Sequence, residues 1–258
     1  MSFPNHPDKY GKEPVFEPKD FIGYLKEQGW SPDYPVPEGV ILCFHRRLFN
    51  HIKEKHETVI YDSAVGSLML LPETKGIGVV PPDGIGIGAP GAVTRLEEYI
   101  ALGCKRFIAI GIAGSLQKSV EIGSLVVCEK AIRDEGTSHH YVAPAKYAAA
   151  SEQLTGNIKS ALDKREAKYH VGTSWTVDAP YRETVEEARA YQKEGVMTVE
   201  MEASALFAVS EFRKVEMGAL FSVSDSLADL KWKPAFHSRK TQKGLEFLYE
   251  VAIDALKA

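Results

Sequence analysis

Short, uninterrupted apolar runs set between helix-patterned segments constrain this chain most. Val40–Phe44, Phe107–Ile110 and Leu125–Cys128 carry no polar residue, and Ala219–Val223 carries only Ser222. A strand without polar alternation has both faces covered, as in a sheet lined by helices on each side. Ile77–Val80, Ile85–Ile87 and Tyr169–Thr173 read as further strands. The intervening segments read as helices over Leu48–His56, Gly91–Leu102, Glu183–Glu194, Met201–Arg213 and Thr241–Leu256, with another from a Ser151 cap to Lys164. In Gly91–Leu102 the apolar face is Val93, Leu96 and Tyr99/Ile100, and Gly103 is placed to end the helix. This alternation predicts an α/β chain: a three-layer αβα sandwich on a mixed, mostly parallel central sheet.

The 258 residues fit one large α/β domain better than two small ones. Seven of the 14 prolines fall in the first 37 residues, so residues 1–37 are expected to form a largely extended arm, with a short helix at Asp20–Gln28, leading into a single domain at 38–258. A net charge of −4 with mixed signs excludes a broad nucleic-acid face. No run approaches the ~20 apolar residues of a membrane span, and the polar start has no signal-peptide core, so a cytoplasmic protein is expected. Cys43, Cys104 and Cys128 lack paired spacing and read as buried free thiols. His139 and His140 adjoin in a loop and diverge, and no metal-ligand spacing is present, so no metal is expected.

The chemistry concentrates where strands end. Glu200 and Glu202 flank Met201 as an apolar strand gives way to a helix near Ala203, and Asp225 follows the next strand. Residues two apart share a face only in extended chain, so both glutamates reach one cleft only if the chain is still extended there. Carboxylates at the C-terminal ends of neighbouring strands lie where open α/β sheets place their ligands. Asp225 suits a general acid if partly shut off from water, and equally suits a helix N-cap. Gly86–Gly91 matches G-x-G-x-x-G between a strand and a helix. A dinucleotide fold would end its next strand on an acidic residue, whereas this one runs into a second small-residue turn, Gly111-Ile112-Ala113-Gly114.

The V-E-M-E-A segment at Val199–Ala203 and the V-S-D at Val223–Asp225 resemble the nucleoside phosphorylase family, which includes purine nucleoside phosphorylases, uridine phosphorylases and related nucleosidases. Ile85–Leu116 and Gly123–Pro144 agree with it, the latter closer to the uridine enzymes, and the resemblance spans roughly residues 38–258. It implies a phosphorylase/hydrolase-like fold, a likeness that needs no cofactor beyond inorganic phosphate as co-substrate, and a homo-oligomer, dimer or hexamer. The expected reaction is phosphate cleavage of a purine-type ribonucleoside. A hydrolytic nucleosidase is the alternative, and a non-catalytic nucleoside-binding protein is another. By resemblance Glu202 holds the ribose hydroxyls, Met201 packs under the sugar, Glu200 supports the turn on the ribose side, and Asp225 protonates the base. Ala113 and Gly114 would border the base, with Trp175 and Tyr181 as stacking candidates and Arg182 as a reader. The Gly88 turn and the Gly111–Ile112 backbone would face phosphate. A neighbouring subunit's N-terminal histidine reaches the ribose in the family, and His6 is the candidate for that part by resemblance alone. The chain departs from the family at the phosphate end. Ala109 and Ile112 replace an arginine and a hydroxyl residue, and Phe44-His45-Arg46-Arg47-Leu48 replaces the G-D-P-x-R loop. Arg46 and Arg47 are therefore the candidate phosphate cations, since a guanidinium fork matches phosphate oxygens.

Overall fold

The computed structural model describes residues 4–6, 8–31, 34–74 and 76–258; residues 1–3, Pro7, Pro32, Asp33 and Lys75, some of them in the proline-rich arm, lie outside the described residues. The arm carries α1 (Pro18–Glu27), begun by a proline at its first position and by the Asp20 carboxylate accepting from Glu17 N at 2.7 Å. Glu17 in turn receives Arg213 Nη1 at 2.8 Å, which ties the arm to the domain.

The chain then runs β1 (Val40–Cys43), α2 (Arg46–Lys55), β2 (Val59–Ser63), β3 (Gly66–Leu71), β4 (Ile77–Val80), α3 (Pro82–Ile85), α4 (Ala89–Ala101), β5 (Arg106–Ser115), β6 (Leu125–Asp134), β7 (Tyr147–Ala149), α5 (Glu152–Asp163), β8 (His170–Val177), α6 (Val185–Glu194), β9 (Thr198–Glu200), α7 (Ala203–Arg213), β10 (Glu216–Ser226), β11 (Lys233–Pro234) and α8 (Arg239–Lys257). One mixed sheet is ordered β11-β10-β6-β8-β9-β5-β1-β4-β3-β2, with β7 on β6. It is parallel through β4–β1–β5–β10 and through β6–β8–β9, and antiparallel at the other pairings. Because β10 pairs with β5 as well as β6, the strands β10-β6-β8-β9-β5 close on themselves into a ring.

The alternation along β5 explains the layers. Phe107, Ala109 and Ala113 join a core with Val93, Leu96, Leu206 and Phe207 from α4 and α7. Ile108 and Ile110 join another with Leu154, Ile158, Leu245 and Leu248 from α5 and α8. Successive strand residues face opposite sides, so helices must cover both. Each large aliphatic side chain so buried stabilises the fold by roughly 1.5–3 kcal/mol. Among the described residues no helix is long and apolar enough to cross a membrane.

The structure differs from the sequence reading at several elements; β11 is new, and the helix read from Met201 begins at Ala203. Ile85–Ile87 is not a strand: prolines at 81 and 82 start the short helix α3, and Gly86 at φ 84° ends it. Gly111–Gly114 is not a turn. β5 continues to Ser115 because β10 pairs along one side and β9 takes Gly114 and Ser115 on the other. The hairpin β2–β3 and the short β7 are additional; β2 is an edge strand whose Val59 and Ile60 stay exposed, so its burial pattern carries little signal.

Candidate active site

The site is built at the C-terminal ends of β5, β9 and β10. Glu200 ends β9 and is deeply buried. Its Oε2 accepts from Glu202 N at 2.8 Å and Ala203 N at 2.7 Å, and its Oε1 accepts from Thr176 Oγ1 at 2.6 Å and Ser174 Oγ at 3.2 Å. Two orphan amides at the start of α7 are thereby satisfied by Glu200, where a helix otherwise relies on its N-cap side chain. Burial pushes the Glu200 carboxyl up, and these donors restrain the rise. Glu200 and Glu202 therefore do not share a cleft face. The backbone at Glu202 has already left the extended region (φ −135°, ψ −33°), and the two carboxylates take different partners: both oxygens of Glu200 are occupied in supporting the turn, with no acceptor left for a sugar.

Glu202 is thus released from capping its own helix. Its Oε1 instead accepts from Gly88 N at 2.7 Å, bridging the start of α7 to the start of α4. Gly88 sits at φ 83°, a left-handed geometry that a side chain resists. A β-carbon there would lie 3.9 Å from Met201 Cε, which places Met201 against the same turn. Burial, then the neighbouring Glu200 charge, pushes the Glu202 carboxyl up to about 7, against the pull of the Gly88 amide. The Gly88 N–H that was expected to face phosphate is committed to this carboxylate.

Asp225 lies near the end of β10, just past an irregularity in the β10–β5 register between Val223 and Asp225. It caps no helix, since α8 begins at Arg239 behind its own cap, Ser238. Ser224 Oγ donates to Asp225 Oδ1 at 2.7 Å and Trp232 Nε1 donates to Oδ2 at 3.0 Å. Asp225 pairs with Gly114 across the strands, and the fit is tight: a β-carbon on Gly114 would sit 3.0 Å from Asp225 Oδ2. A second carboxylate, Glu183, was not singled out from the sequence. Its carboxyl is pushed up to about 7 by burial and by the charges of Asp225 and Glu187. It stands just before the Thr184–Glu187 capping box that opens α6.

The aromatic candidates separate. Trp175 is fully buried, donates its Nε1 to Asp134 Oδ2 at 2.8 Å and packs against Tyr191 at 4.9 Å between ring centroids. It is a core residue and not a base-stacking one, because β8 turns it into the cluster under α6. Tyr181 is 100% exposed in this chain, with no part of its ring packed into the core. At the phosphate end, Ile112 is partly buried and packs toward α8, offering no side-chain donor. Gly111 is held in the ladder opposite Phe221, with Phe44 3.3 Å from where its β-carbon would be. Arg46 and Arg47 open α2 and are exposed. Arg46 pairs with Asp83 on α3, next to the Gly86–Gly88 turn, and Arg47 Nη2 lies 3.5 Å from His237 Nδ1. Among the described residues no group of His, Cys, Asp or Glu side chains is arranged to hold a metal ion. All three cysteines are buried and free, and burial pushes the Cys43 and Cys104 thiols up to about 12.

The family model described as the phosphorylase superfamily matches residues 25–257. A guanosine phosphorylase from Halorubrum lacusprofundi is 30% identical over 55% of this chain and 59% of its own length. The chain thus spans about three fifths of that relative. A DeoD-type purine nucleoside phosphorylase from Caldanaerobacter subterraneus is 32% identical over 63% of this chain and 71% of its own. Among solved structures, the uridine phosphorylase from Vibrio fischeri superposes with a TM-score of 0.72 at 27% identity, covering 86% of this chain and 91% of that one.

Proposed function

The chain belongs to the phosphorylase superfamily, in its nucleoside phosphorylase family, and on that premise we propose that it cleaves the N-glycosidic bond of a purine-type ribonucleoside with inorganic phosphate. Phosphate oxygen bonds to C1′ as the C1′–N9 bond breaks, giving ribose 1-phosphate and the free base. Cleavage builds negative charge on the departing purine. A proton delivered to N7 by Asp225 neutralises it, and general acid catalysis of this kind is worth roughly 10²–10⁴-fold. Glu202 accepts from the ribose 2′ and 3′ hydroxyls, with Met201 beneath the sugar. Phosphate would be held by Arg46 or Arg47, as the departures at Ala109 and Ile112 require another cation. A homo-oligomer belongs to the same reading.

The observation that supports this most is the buried Asp225, gripped by two donors beside Gly114, at the strand ends that also carry Glu202. The test is turnover of purine and pyrimidine nucleosides with and without phosphate, with the sugar product identified. Phosphate-dependent release of base with ribose 1-phosphate is expected. Full-rate cleavage to free ribose without phosphate would make the protein a nucleosidase, and binding without turnover would make it a nucleoside-binding protein.

A further inference from the structure

We propose that Trp232 is the positioning residue for Asp225, acting through its indole N–H. This rests on the purine-cleaving reading above and adds a residue that the sequence did not mark. After Asp225 the chain does not proceed directly to α8. It turns at Leu230, which adopts φ 57°, and returns as β11, pairing Pro234 with Asp225 and Lys233 with Ser226. Ala235 N donates to Ser224 O at 2.9 Å and closes the hairpin. The result brings the indole back onto the aspartate seven residues before it, with Nε1 3.0 Å from Oδ2.

Indole nitrogen is a donor only. A carboxyl taken by Ser224 on one oxygen and by Trp232 on the other is fixed in its plane, so the carboxyl group meets the base in one orientation. In the proposed step, the proton on Asp225 moves to purine N7 while the C1′–N9 electron pair moves onto the base. Negative charge then appears on the carboxylate, and donors to a carboxylate strengthen as that charge develops. Trp232 and Ser224 are placed to assist this release and are themselves unchanged by it. The indole is 61% exposed, with its ring centroid 6.1 Å from that of Phe236, so little of the hydrophobic core depends on it. Its N–H can therefore be removed without opening the core.

The experiment compares Trp232→Phe, which keeps a ring and loses the N–H, with wild type and Asp225→Asn, on an unmodified purine ribonucleoside and on its 7-methyl counterpart. The 7-methylated base already carries its positive charge and leaves without a proton. Losing a hydrogen bond to a charged group corresponds to roughly 10- to 100-fold in rate. Trp232→Phe should lower kcat by about that factor on the unmodified substrate, lower it less than about twofold on the methylated one, and leave the KM for phosphate and the thermal midpoint near wild type. Equal losses on both substrates, or none on either, overturn the positioning role. If Asp225→Asn shows the substrate-selective loss and Trp232→Phe does not, Trp232 is excluded while the acid stands. A wild type that cleaves neither substrate overturns the functional reading and this inference with it.

Discussion

At the scale of single residues, the two glutamates of Glu200-Met201-Glu202 have opposite duties. Glu200 is saturated by four donors, whereas Glu202 keeps one bond to Gly88 and a carboxyl raised from its ordinary 4.5 to about 7. The raised value has a sign. Between 4.5 and about 7 the folded protein holds a proton that the unfolded chain has released, so the stabilisation tied to protonated Glu202 is complete below 4.5 and declines as pH rises toward 7. Each tenfold difference in proton affinity corresponds to about 1.4 kcal/mol. Glu202→Gln removes this titration. Thermal unfolding of the variant and wild type from pH 4.5 to 8 should show the variant gaining relative stability as pH rises, and a difference independent of pH would contradict the raised carboxyl. The same variant should lose more catalytic efficiency on ribosides than on 2′-deoxyribosides, because charge-assisted bonds to the sugar hydroxyls weaken. Equal losses on both sugars would mean that Glu202 does not hold the 2′-hydroxyl.

At the scale of elements, α7 starts where two strands supply its cap. Glu200 comes from β9, and Ser174 and Thr176 come from β8. Thr176 Oγ1 also accepts from Ser204 N at 2.9 Å, and Ser204 Oγ donates to Glu135 Oε1 at 3.0 Å on the segment after β6. The helix that carries Glu202 is thus held in register with the closed ring of strands by buried polar bonds. Glu200→Ala would leave buried donors of Glu202 and Ala203 without an acceptor, at roughly 1–3 kcal/mol each. Urea unfolding should show a loss of about 3 kcal/mol or more. A loss below about 1 kcal/mol would mean that the helix start finds another acceptor.

At the scale of the whole molecule, three helix starts meet the strand ends: α2 with Arg46 and Arg47, α4 with Gly88, and α7 with Glu202. Helix N-termini favour anions, but the Gly88 amide is taken by Glu202 and the first amides of α7 by Glu200, so α2 is the start left to meet a phosphate. Neither Ala109 nor Ile112 supplies a charge or a hydroxyl, so the cations at α2 are the ones available in the first-strand loop. Replacing Arg46 and Arg47 together by Ala should raise the KM for phosphate, at roughly 1.5–3 kcal/mol per lost charged bond, and change nucleoside affinity little. Stability should hardly move, because the Arg46–Asp83 pair is more than three fifths exposed on both sides and such pairs contribute about 0–1 kcal/mol. An unchanged phosphate KM in a folded variant would remove both arginines from the site.

The apolar runs were enough to read β1, the first half of β5, β6 and β10 and the helices between them, because burial on both faces erases polar alternation and helical spacing is local. Motif chemistry likewise pointed to Glu202 and Asp225 as neighbours of strand ends. Direction and partnership were not legible. Trp175 and Tyr181 look equally able to stack on a base until β8 turns one into the core and the 3-10 turn at Pro180–Arg182 leaves the other in solvent. Gly111–Gly114 looks like a turn until β10 and β9 pair with it. Trp232 carries no motif, and its link to Asp225 arises from a hairpin. Local sequence sets what each residue prefers; which side chains meet depends on strand pairings between distant segments, whose energies belong to the assembled sheet and to no stretch of chain within it.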